Sequence, residues 1–139
     1  MKLLFLCTGN SCRSQMGEIL LRRLRPDWTV LSAGVEAHGL NPRMKVVMAE
    51  TGEVPPDLRS KTLDHLAAEG HPLASFDVVL TLCGDALDRC PVLPKAITHE
   101  HWGLPDPAQA TGTEAEILEQ FRAVRDDLHR RLAVFVASH

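Results

Sequence analysis

Hydrophobic and polar positions along the chain follow two periods, one typical of buried strands and one typical of amphipathic helices. Short runs rich in apolar and β-branched residues predict four strands, at residues 2–7, 28–32, 76–82 and 96–98. Apolar residues spaced three or four positions apart predict four helices, at residues 16–25, 42–52, 62–69 and 117–135. Because strands and helices alternate, we expect an α/β fold: a single doubly wound domain over residues 1–139, with a four-stranded parallel sheet flanked by helices.

Composition and charge narrow the class of protein without indicating a chemistry. Hydrophobic residues make up 45% of the chain and charged residues 24%, as in an ordinary folded domain. The formal net charge is −3 and no basic stripe is present, which argues against nucleic acid as a partner. The apolar start of the chain is too short for a membrane span and lacks a cleavage pattern, so we expect a cytoplasmic protein. The four cysteines are then expected to be catalytic, redox-active or metal-binding rather than structural disulfides.

The segment between the first strand and the first helix carries the strongest chemical signal. A strand–loop–helix crossing of this kind turns backbone N–H groups toward a bound anion. Gly9 and Asn10 tolerate the positive φ angles of such a loop, and Arg13 can place two donors on a tetrahedral oxyanion. We therefore expect a substrate-binding loop formed by Thr8, Gly9, Asn10, Ser11, Cys12, Arg13 and Ser14.

Cys7 lies at the start of this loop and is the candidate nucleophile. The helix N-terminus and Arg13 should both stabilise its thiolate, and Ser14 is expected to cap the helix and to donate its hydroxyl to the sulfur. The alternative is that Cys7 ends a buried strand as a small hydrophobic residue. That alternative leaves the Gly-Asn loop and Arg13 without a role, so the nucleophile is favoured. For Cys12 the preference is reversed, and we expect filler or a bystander thiol inside the loop.

Residues 7–14 resemble the nucleophile loop of low-molecular-weight protein tyrosine phosphatases and of the arsenate reductases that share their fold. The resemblance extends over nearly the whole chain, through residues 32–34, 81–83, 101–103 and 106–108. It implies that Asp106, which lies between two prolines that stiffen its loop, is the general acid that protonates the leaving oxygen. Without the match at Cys7, an Asp before a proline would be interpreted as a turn residue.

A second pair of cysteines, Cys83 and Cys90, distinguishes between these relatives. Their Cys-x6-Cys spacing resembles that of thioredoxin-coupled arsenate reductases, which need thiols to supply electrons. The resemblance implies that Cys7 attacks arsenate, that Cys83 then attacks Cys7 and releases arsenite, and that Cys90 attacks Cys83. Thioredoxin would reduce the final disulfide, so the implied catalytic residues are Cys7, Arg13, Cys83, Cys90 and Asp106. The resemblance also implies a monomer without a tightly bound cofactor.

The spacing of this cysteine pair has a mechanical consequence. If residues 83–90 were helical, the two cysteines would be separated by roughly 10 Å along the helix axis. A disulfide requires Cα atoms within about 7 Å of each other. We therefore expect the segment to unwind or loop out during turnover and to carry the oxidised pair toward the surface.

The resemblance also implies a possible binding site for a metal ion beneath the loop. Asn10, Glu18, Ser32 and Asp64 match positions that form a potassium site in some of the reductases, and their oxygens suit a hard cation. An ordinary hydrogen-bond network beneath the loop explains the same residues at least as well. We therefore assign no metal ion.

Three histidines lie near these motifs. His99 and His101 are expected to be exposed loop residues. A zinc site that joins them to Cys83 and Cys90 is a remote alternative, because the cysteine spacing exceeds that of the usual zinc knuckle. His38, after the second strand, is expected to be structural rather than catalytic.

The main competing function is hydrolysis of phosphate monoesters by a low-molecular-weight phosphatase that forms a Cys7 phospho-enzyme. Such phosphatases usually line their cleft with aromatic residues and often follow the catalytic Asp-Pro with Phe or Tyr. This chain has no tyrosine and places Ala108 there, which favours a reductase with a weak phosphatase side activity. A sensor that binds an oxyanion or cycles its thiols without turnover is a third hypothesis.

Overall fold

The computed structural model describes all 139 residues, which form four strands, five α-helices and two short 3-10 turns. The strands are β1 (Lys2–Cys7), β2 (Thr29–Gly34), β3 (Val78–Thr81) and β4 (Thr98–His101). The helices are α1 (Arg13–Leu24), α2 (Pro42–Ala49), α3 (Leu63–Ala68), α4 (Gly84–Arg89) and α5 (Glu114–Ala137). The 3-10 turns are Leu73–Ser75 and Pro107–Gln109.

All four strands form one parallel sheet in the order β2-β1-β3-β4, which confirms the predicted fold class. Leu6 of the central strand β1 pairs with Ala33 of β2 on one side and with Thr81 of β3 on the other. Strand β3 is buried along its whole length and β1 along nearly all of it, which is why both are apolar without alternation. The carboxyl ends of these neighbouring strands meet at one edge of the sheet, and this edge carries Cys7 and Cys83.

Helix α5 packs against α1 and α2 and completes the core. Leu128 and Leu132 are fully buried on its apolar stripe, as the helical periodicity predicts. The buried Arg125 ties α5 to α2, because its Nη1 donates to the Val47 carbonyl at 2.8 Å and pairs with Glu50 at 2.8 Å. No helix combines the length and the apolar character that crossing a lipid bilayer requires.

The start of α1 differs from the prediction. The helix begins at Arg13, and Cys12 occupies the N-cap position without a side-chain capping bond. The prediction that Ser14 caps the helix is therefore wrong. Ser14 already lies in the first helical turn, and its hydroxyl is directed toward Cys7.

The fourth strand also differs from its prediction. It runs over residues 98–101 rather than 96–98, because its register places Thr98 opposite Val78. His99 and His101 therefore lie in β4, and the expectation of loop residues is wrong. Both imidazole rings contact the buried Thr81 hydroxyl, at 3.1 and 2.9 Å. An exposed edge strand carries few apolar residues, so hydrophobicity is a weak guide to where it begins and ends.

Candidate active site

The loop between β1 and α1 forms one wall of a cavity of about 310 Å³ at the carboxyl edge of the sheet. Asn10 adopts a φ of 47°, the left-handed conformation that this tight loop requires. The cavity is lined by Cys7, Thr8, Gly9, Ser11, Cys12, Arg13, His38, Asp106, Ala108 and Gln109. The candidate nucleophile, the candidate acid and most of the predicted loop residues therefore meet in one place.

Cys7 ends β1 and is buried at the bottom of the loop. Its Sγ lies 2.8 Å from Ser14 Oγ, and Asn10 Nδ2 donates to the same hydroxyl oxygen at 2.8 Å. Because the Asn10 amide occupies one acceptor site of that oxygen, the hydroxyl proton is available for the sulfur. A Cys7 thiolate is stabilised by such a bond. Asn10 and Ser14 are fully buried and support the loop from beneath rather than lining the cavity.

A buried polar network continues below the loop. Ser32 accepts from Asn10 Nδ2 at 3.0 Å and donates to Glu18 Oε1 at 2.6 Å. The Lys61 ammonium lies 3.6 Å from the same carboxylate oxygen, and both side chains are almost completely buried. The Lys61 backbone N–H donates to Asn10 Oδ1 at 2.9 Å. Burial lowers the pKa of Lys61, while the negative charge of Glu18 acts in the opposite direction.

These residues do not fit the potassium site that the resemblance raised. The Lys61 ammonium already faces one oxygen of Glu18, and Arg22 pairs with the other at 2.7 Å. Asp64, the fourth expected ligand, is exposed on α3. The zinc alternative fails as well, because no three His, Cys, Asp or Glu side chains gather where they could hold a metal ion. Beneath the loop, hydrogen bonds and the buried ammonium therefore account for the polar residues.

Arg13 and Asp106 face each other in the cavity. Arg13 Nη2 lies 3.6 Å from Asp106 Oδ2, and its Nη1 donates to the Leu104 carbonyl at 3.1 Å. Asp106 Oδ1 accepts from the Ala108 backbone N–H at 3.0 Å, which fixes the carboxylate at the start of a 3-10 turn. Only 11% of the Arg13 side chain is exposed, so its guanidinium is held where it can grip an oxyanion. The same cavity thus offers a guanidinium for binding and a carboxyl group for proton transfer.

Cys83 lies next to the loop but does not line the cavity. It is buried two residues after the end of β3, and its Sγ is 3.2 Å from Thr8 Oγ1. The sulfur also accepts the Ala86 backbone N–H at 3.3 Å, so Cys83 is the N-cap of α4. A second thiol is therefore positioned beside the residue that follows Cys7.

Cys90 is not brought to the cavity. It lies at the opposite end of α4, where it is half-buried and where burial raises the pKa of its thiol. The helix between the two cysteines holds them roughly 10 Å apart along its axis. Cys90 and Cys83 cannot form a disulfide while α4 is helical.

Cys12 forms part of the cavity wall with almost no exposed surface. Burial raises the pKa of its thiol, and the negative charges of Asp106 and Cys7 raise it further, against a smaller opposing effect of Arg13. The thiol is therefore held in its neutral form, which is a poor nucleophile.

His38, Ala108 and Gln109 line the cavity although the sequence predicted no site role for them, and His38 is in contact with the oxyanion loop. Its backbone N–H donates to the Gly9 carbonyl at 2.9 Å, and a Cβ on Gly9 would overlap its imidazole ring. Gly9 is thus needed for close approach and not for a positive φ, which it does not adopt. The signal available in the sequence was the position of His38 after β2, because the loops that follow parallel neighbours lie side by side.

A family model, low molecular weight phosphotyrosine protein phosphatase, matches residues 2–138. The chain belongs to this phosphatase family. It is 48% identical to the arsenate reductase of Bacillus subtilis over 132 residues, which cover 94% of this chain and 91% of the relative. The resemblance stated from the sequence is confirmed.

Solved structures of the family include both kinds of enzyme. An arsenate reductase in the phosphate-binding state is 30% identical, with a TM-score of 0.76 over 99% of this chain and 98% of its own. The tyrosine phosphatase Wzb from Escherichia coli K30, in complex with sulphate, is 26% identical, with a TM-score of 0.77 over 99% of this chain and 96% of its own. The fold alone therefore does not distinguish reduction from hydrolysis, and the side chains must decide.

Proposed function

We propose that the protein is an arsenate reductase that uses three thiols and no tightly bound cofactor. The observation that carries the proposal is the position of Cys83, whose sulfur lies 3.2 Å from Thr8 Oγ1 in the loop that begins at Cys7. Hydrolysis of a phosphate ester requires no second thiol there, whereas reduction requires one to complete a disulfide. The 48% identity to an arsenate reductase supports the same assignment.

In the first step, arsenate binds to the backbone N–H groups of the loop and to the Arg13 guanidinium. The Cys7 thiolate attacks arsenic, and protonated Asp106 gives its proton to the departing hydroxide, which leaves as water. Arg13 and Asp106 lie 3.6 Å apart before arsenate binds, so arsenate competes for the guanidinium and frees the carboxyl group. The product is a covalent thiol–arsenate adduct in which arsenic is still pentavalent.

In the second step, Cys83 attacks the Cys7 sulfur of the adduct. A Cys7–Cys83 disulfide forms, the sulfur–arsenic bond breaks, and its electron pair leaves with arsenic as arsenite. Two thiols lose two electrons and arsenic gains them, so no other reductant enters this step. The Thr8 hydroxyl, 3.2 Å from Cys83 Sγ, can stabilise the attacking thiolate by donating a hydrogen bond.

In the third step, Cys90 attacks Cys83 and frees the Cys7 thiolate. Because a disulfide needs Cα atoms within about 7 Å, α4 has to unwind first. Unwinding costs little here, because α4 has only six residues and Ala86 is the one side chain that it buries. A dithiol donor of the thioredoxin type then reduces the Cys83–Cys90 disulfide, which places the reaction in a reducing cytoplasm.

A single-turnover experiment tests the proposal. Fully reduced protein is mixed with arsenate without a reducing system, arsenite is quantified, and the cysteines are mapped by alkylation and mass spectrometry. We expect stoichiometric arsenite and a Cys83–Cys90 disulfide in the unmodified protein.

Two matched cysteine-to-serine variants separate the steps. Cys90→Ser should release the same arsenite and stop at a Cys7–Cys83 disulfide, whereas Cys83→Ser should release none. Arsenite from Cys83→Ser, or no arsenite from the unmodified protein, would contradict the three-thiol sequence.

Phosphate-ester hydrolysis is a second candidate activity at the same site. The sulphate-bound phosphatase with a TM-score of 0.77 supports it, because the shared loop accepts tetrahedral oxyanions. The cavity has no tyrosine, tryptophan or phenylalanine in its lining, so an aromatic substrate gains little binding there. We expect slow hydrolysis of p-nitrophenyl phosphate that is lost in Cys7→Ser and retained in Cys83→Ser and Cys90→Ser. Hydrolysis that also needs Cys83 would contradict this assignment.

A further inference from the structure

We propose that Glu36 and Arg89 form a latch that keeps α4 helical and so sets the rate at which Cys90 reaches Cys83. The proposal rests on the proposed function, whose third step requires α4 to unwind. Glu36 and Arg89 are positioning residues, because they act on the helix that carries the thiols and touch neither thiol nor substrate.

The Glu36 carboxylate links α4 to the wall of the active-site cavity. Its Oε2 accepts from Arg89 Nη1 at 3.1 Å, and its Oε1 lies 3.1 Å from Nε2 of His38, a residue of the cavity lining. The Glu36 backbone N–H donates to the Thr8 carbonyl at 2.9 Å, which anchors the residue on the oxyanion loop. Arg89, the last residue of α4, is therefore tied to a fixed point beside the substrate.

Few other interactions hold α4 closed. Apart from the N-cap bond from the Ala86 backbone N–H to Cys83 Sγ, the Arg89–Glu36 bond is the one side-chain hydrogen bond that joins residues 84–89 to the rest of the chain. Ala86 is the only buried residue of the helix, and Leu87 is 40% exposed. Beneath the end of α4 lies a cavity of about 240 Å³, which Arg89 and Pro91 help to line. With so little packing, one ion pair makes up a large share of what opposes unwinding.

Arg89 also pairs within the helix, with Asp85 Oδ2 at 3.2 Å one turn earlier. This pair supports the helical conformation itself, and each charge lies at the end of the helix that its sign favours. Because one guanidinium serves both carboxylates, unwinding at Arg89 breaks the tether and the internal pair together. Release of the latch is thus coupled to loss of the helix.

The latch controls how often Cys90 can reach the Cys83 sulfur, and it leaves the thiol–disulfide exchange itself unchanged. After α4 opens, the Cys90 thiolate forms a bond to the Cys83 sulfur, the Cys83–Cys7 bond breaks, and Cys7 leaves as a thiolate. The Cys90 proton goes to solvent, and no electrons enter or leave the protein. Exposed ion pairs shift an equilibrium by about two- to fivefold, and salt screens them, so the latch should act on that scale and weaken at high ionic strength.

Hydrogen exchange of the reduced protein measures the opening of α4 without arsenate. Glu36→Gln and Arg89→Gln should accelerate amide exchange over residues 86–90 by about two- to fivefold, and Arg89→Lys should keep most of the protection. Glu69→Gln is the matched control, because it removes a similar exposed carboxylate from its pair with Arg59, away from the site. Molar salt should remove the difference between Glu36→Gln and the unmodified protein.

A single turnover with arsenate gives the second readout. Conversion of the Cys7–Cys83 disulfide into the Cys83–Cys90 disulfide should be faster in Glu36→Gln by the same factor, with arsenite release unchanged. The latch is overturned if exchange in Glu36→Gln equals that in Glu69→Gln, if the acceleration extends to α5, or if disulfide conversion is not faster. Failure of the unmodified protein to release arsenite would instead overturn the proposed function and leave the exchange result as a separate measure of the latch.

Discussion

Replacing Gly34 by Ala tests how tightly the oxyanion loop is packed against the end of β2. Gly34 pairs with Cys7, and its Cα faces the backbone of the loop. A Cβ at this position would lie 2.7 Å from Asn10 N and 2.7 Å from the Thr8 carbonyl oxygen, and would overlap the Glu36 carbonyl oxygen. All three neighbours are main-chain atoms, so the overlap with the added Cβ can be removed only if the backbone of the loop moves.

The structure sets the magnitude of this effect. Adding one methyl group to a tightly packed site costs about 1–3 kcal/mol, and the upper end applies here because no flexible side chain can give way. For a chain of this size, a destabilisation of about 3 kcal/mol lowers Tm by roughly 10 °C. Activity should fall further, by about 100-fold in kcat/KM, because a displacement of about 1 Å misplaces the loop N–H groups that hold the oxyanion.

Urea denaturation and steady-state kinetics check both numbers. Gly103→Ala is the matched control, since a Cβ there meets only His101 Nε2 at 3.4 Å, an ordinary contact. If the free energies of unfolding of the two variants agree within about 0.5 kcal/mol, the stability argument is refuted. Unchanged kcat/KM in Gly34→Ala would refute the link between this contact and the loop.

Three further predictions concern individual groups of the site. Ser14→Ala should slow alkylation of Cys7 near neutral pH by about tenfold or more, because a bond to a charged sulfur is lost; an unchanged alkylation rate would refute that bond. Asp106→Asn should lower kcat by about 10²–10⁴-fold without weakening phosphate binding, because proton donation is lost while Arg13 loses a competitor; weaker phosphate competition would contradict the geometry. The raised pKa of Cys12 means that its thiol contributes stability below about pH 8.5 that is lost as the pH rises. Urea titrations should therefore show the stability of the unmodified protein falling more steeply toward alkaline pH than that of Cys12→Ser, and parallel curves would refute this.

The local part of the site could be predicted because it depends on residues close together in sequence. A buried strand, a Gly-Asn loop and a helix follow one another, so Cys7 and Arg13 are brought to the same loop by chain geometry alone. Cys83 could also be placed, since parallel strands end at the same edge of the sheet and Cys83 directly follows the predicted strand at residues 76–82. The parallel order of the strands therefore allowed the prediction to include the loop after β3 as well as the loop after β1.

The remaining features depend on tertiary contacts that leave no local pattern. Lys61 faces Glu18 across 43 residues of sequence, and only the fold shows that its ammonium lies where a potassium ion had been considered. The contact between His38 and Gly9 arises because β1 and β2 are neighbours, which no periodicity reveals. The cap predicted for α1 was wrong because Ser14 lies inside the first helical turn, where its hydroxyl contacts the Cys7 sulfur, as the sequence predicted, and caps no backbone N–H.

The most direct test of the central claim is arsenate-dependent consumption of NADPH in the presence of thioredoxin and thioredoxin reductase. We expect continuous turnover by the unmodified protein. Neither Cys90→Ser nor Cys83→Ser should consume NADPH in response to arsenate, because neither forms the Cys83–Cys90 disulfide that thioredoxin reduces. If the unmodified protein consumes no NADPH while it and both variants hydrolyse p-nitrophenyl phosphate equally well, the chain is a phosphatase and the three-thiol mechanism is contradicted.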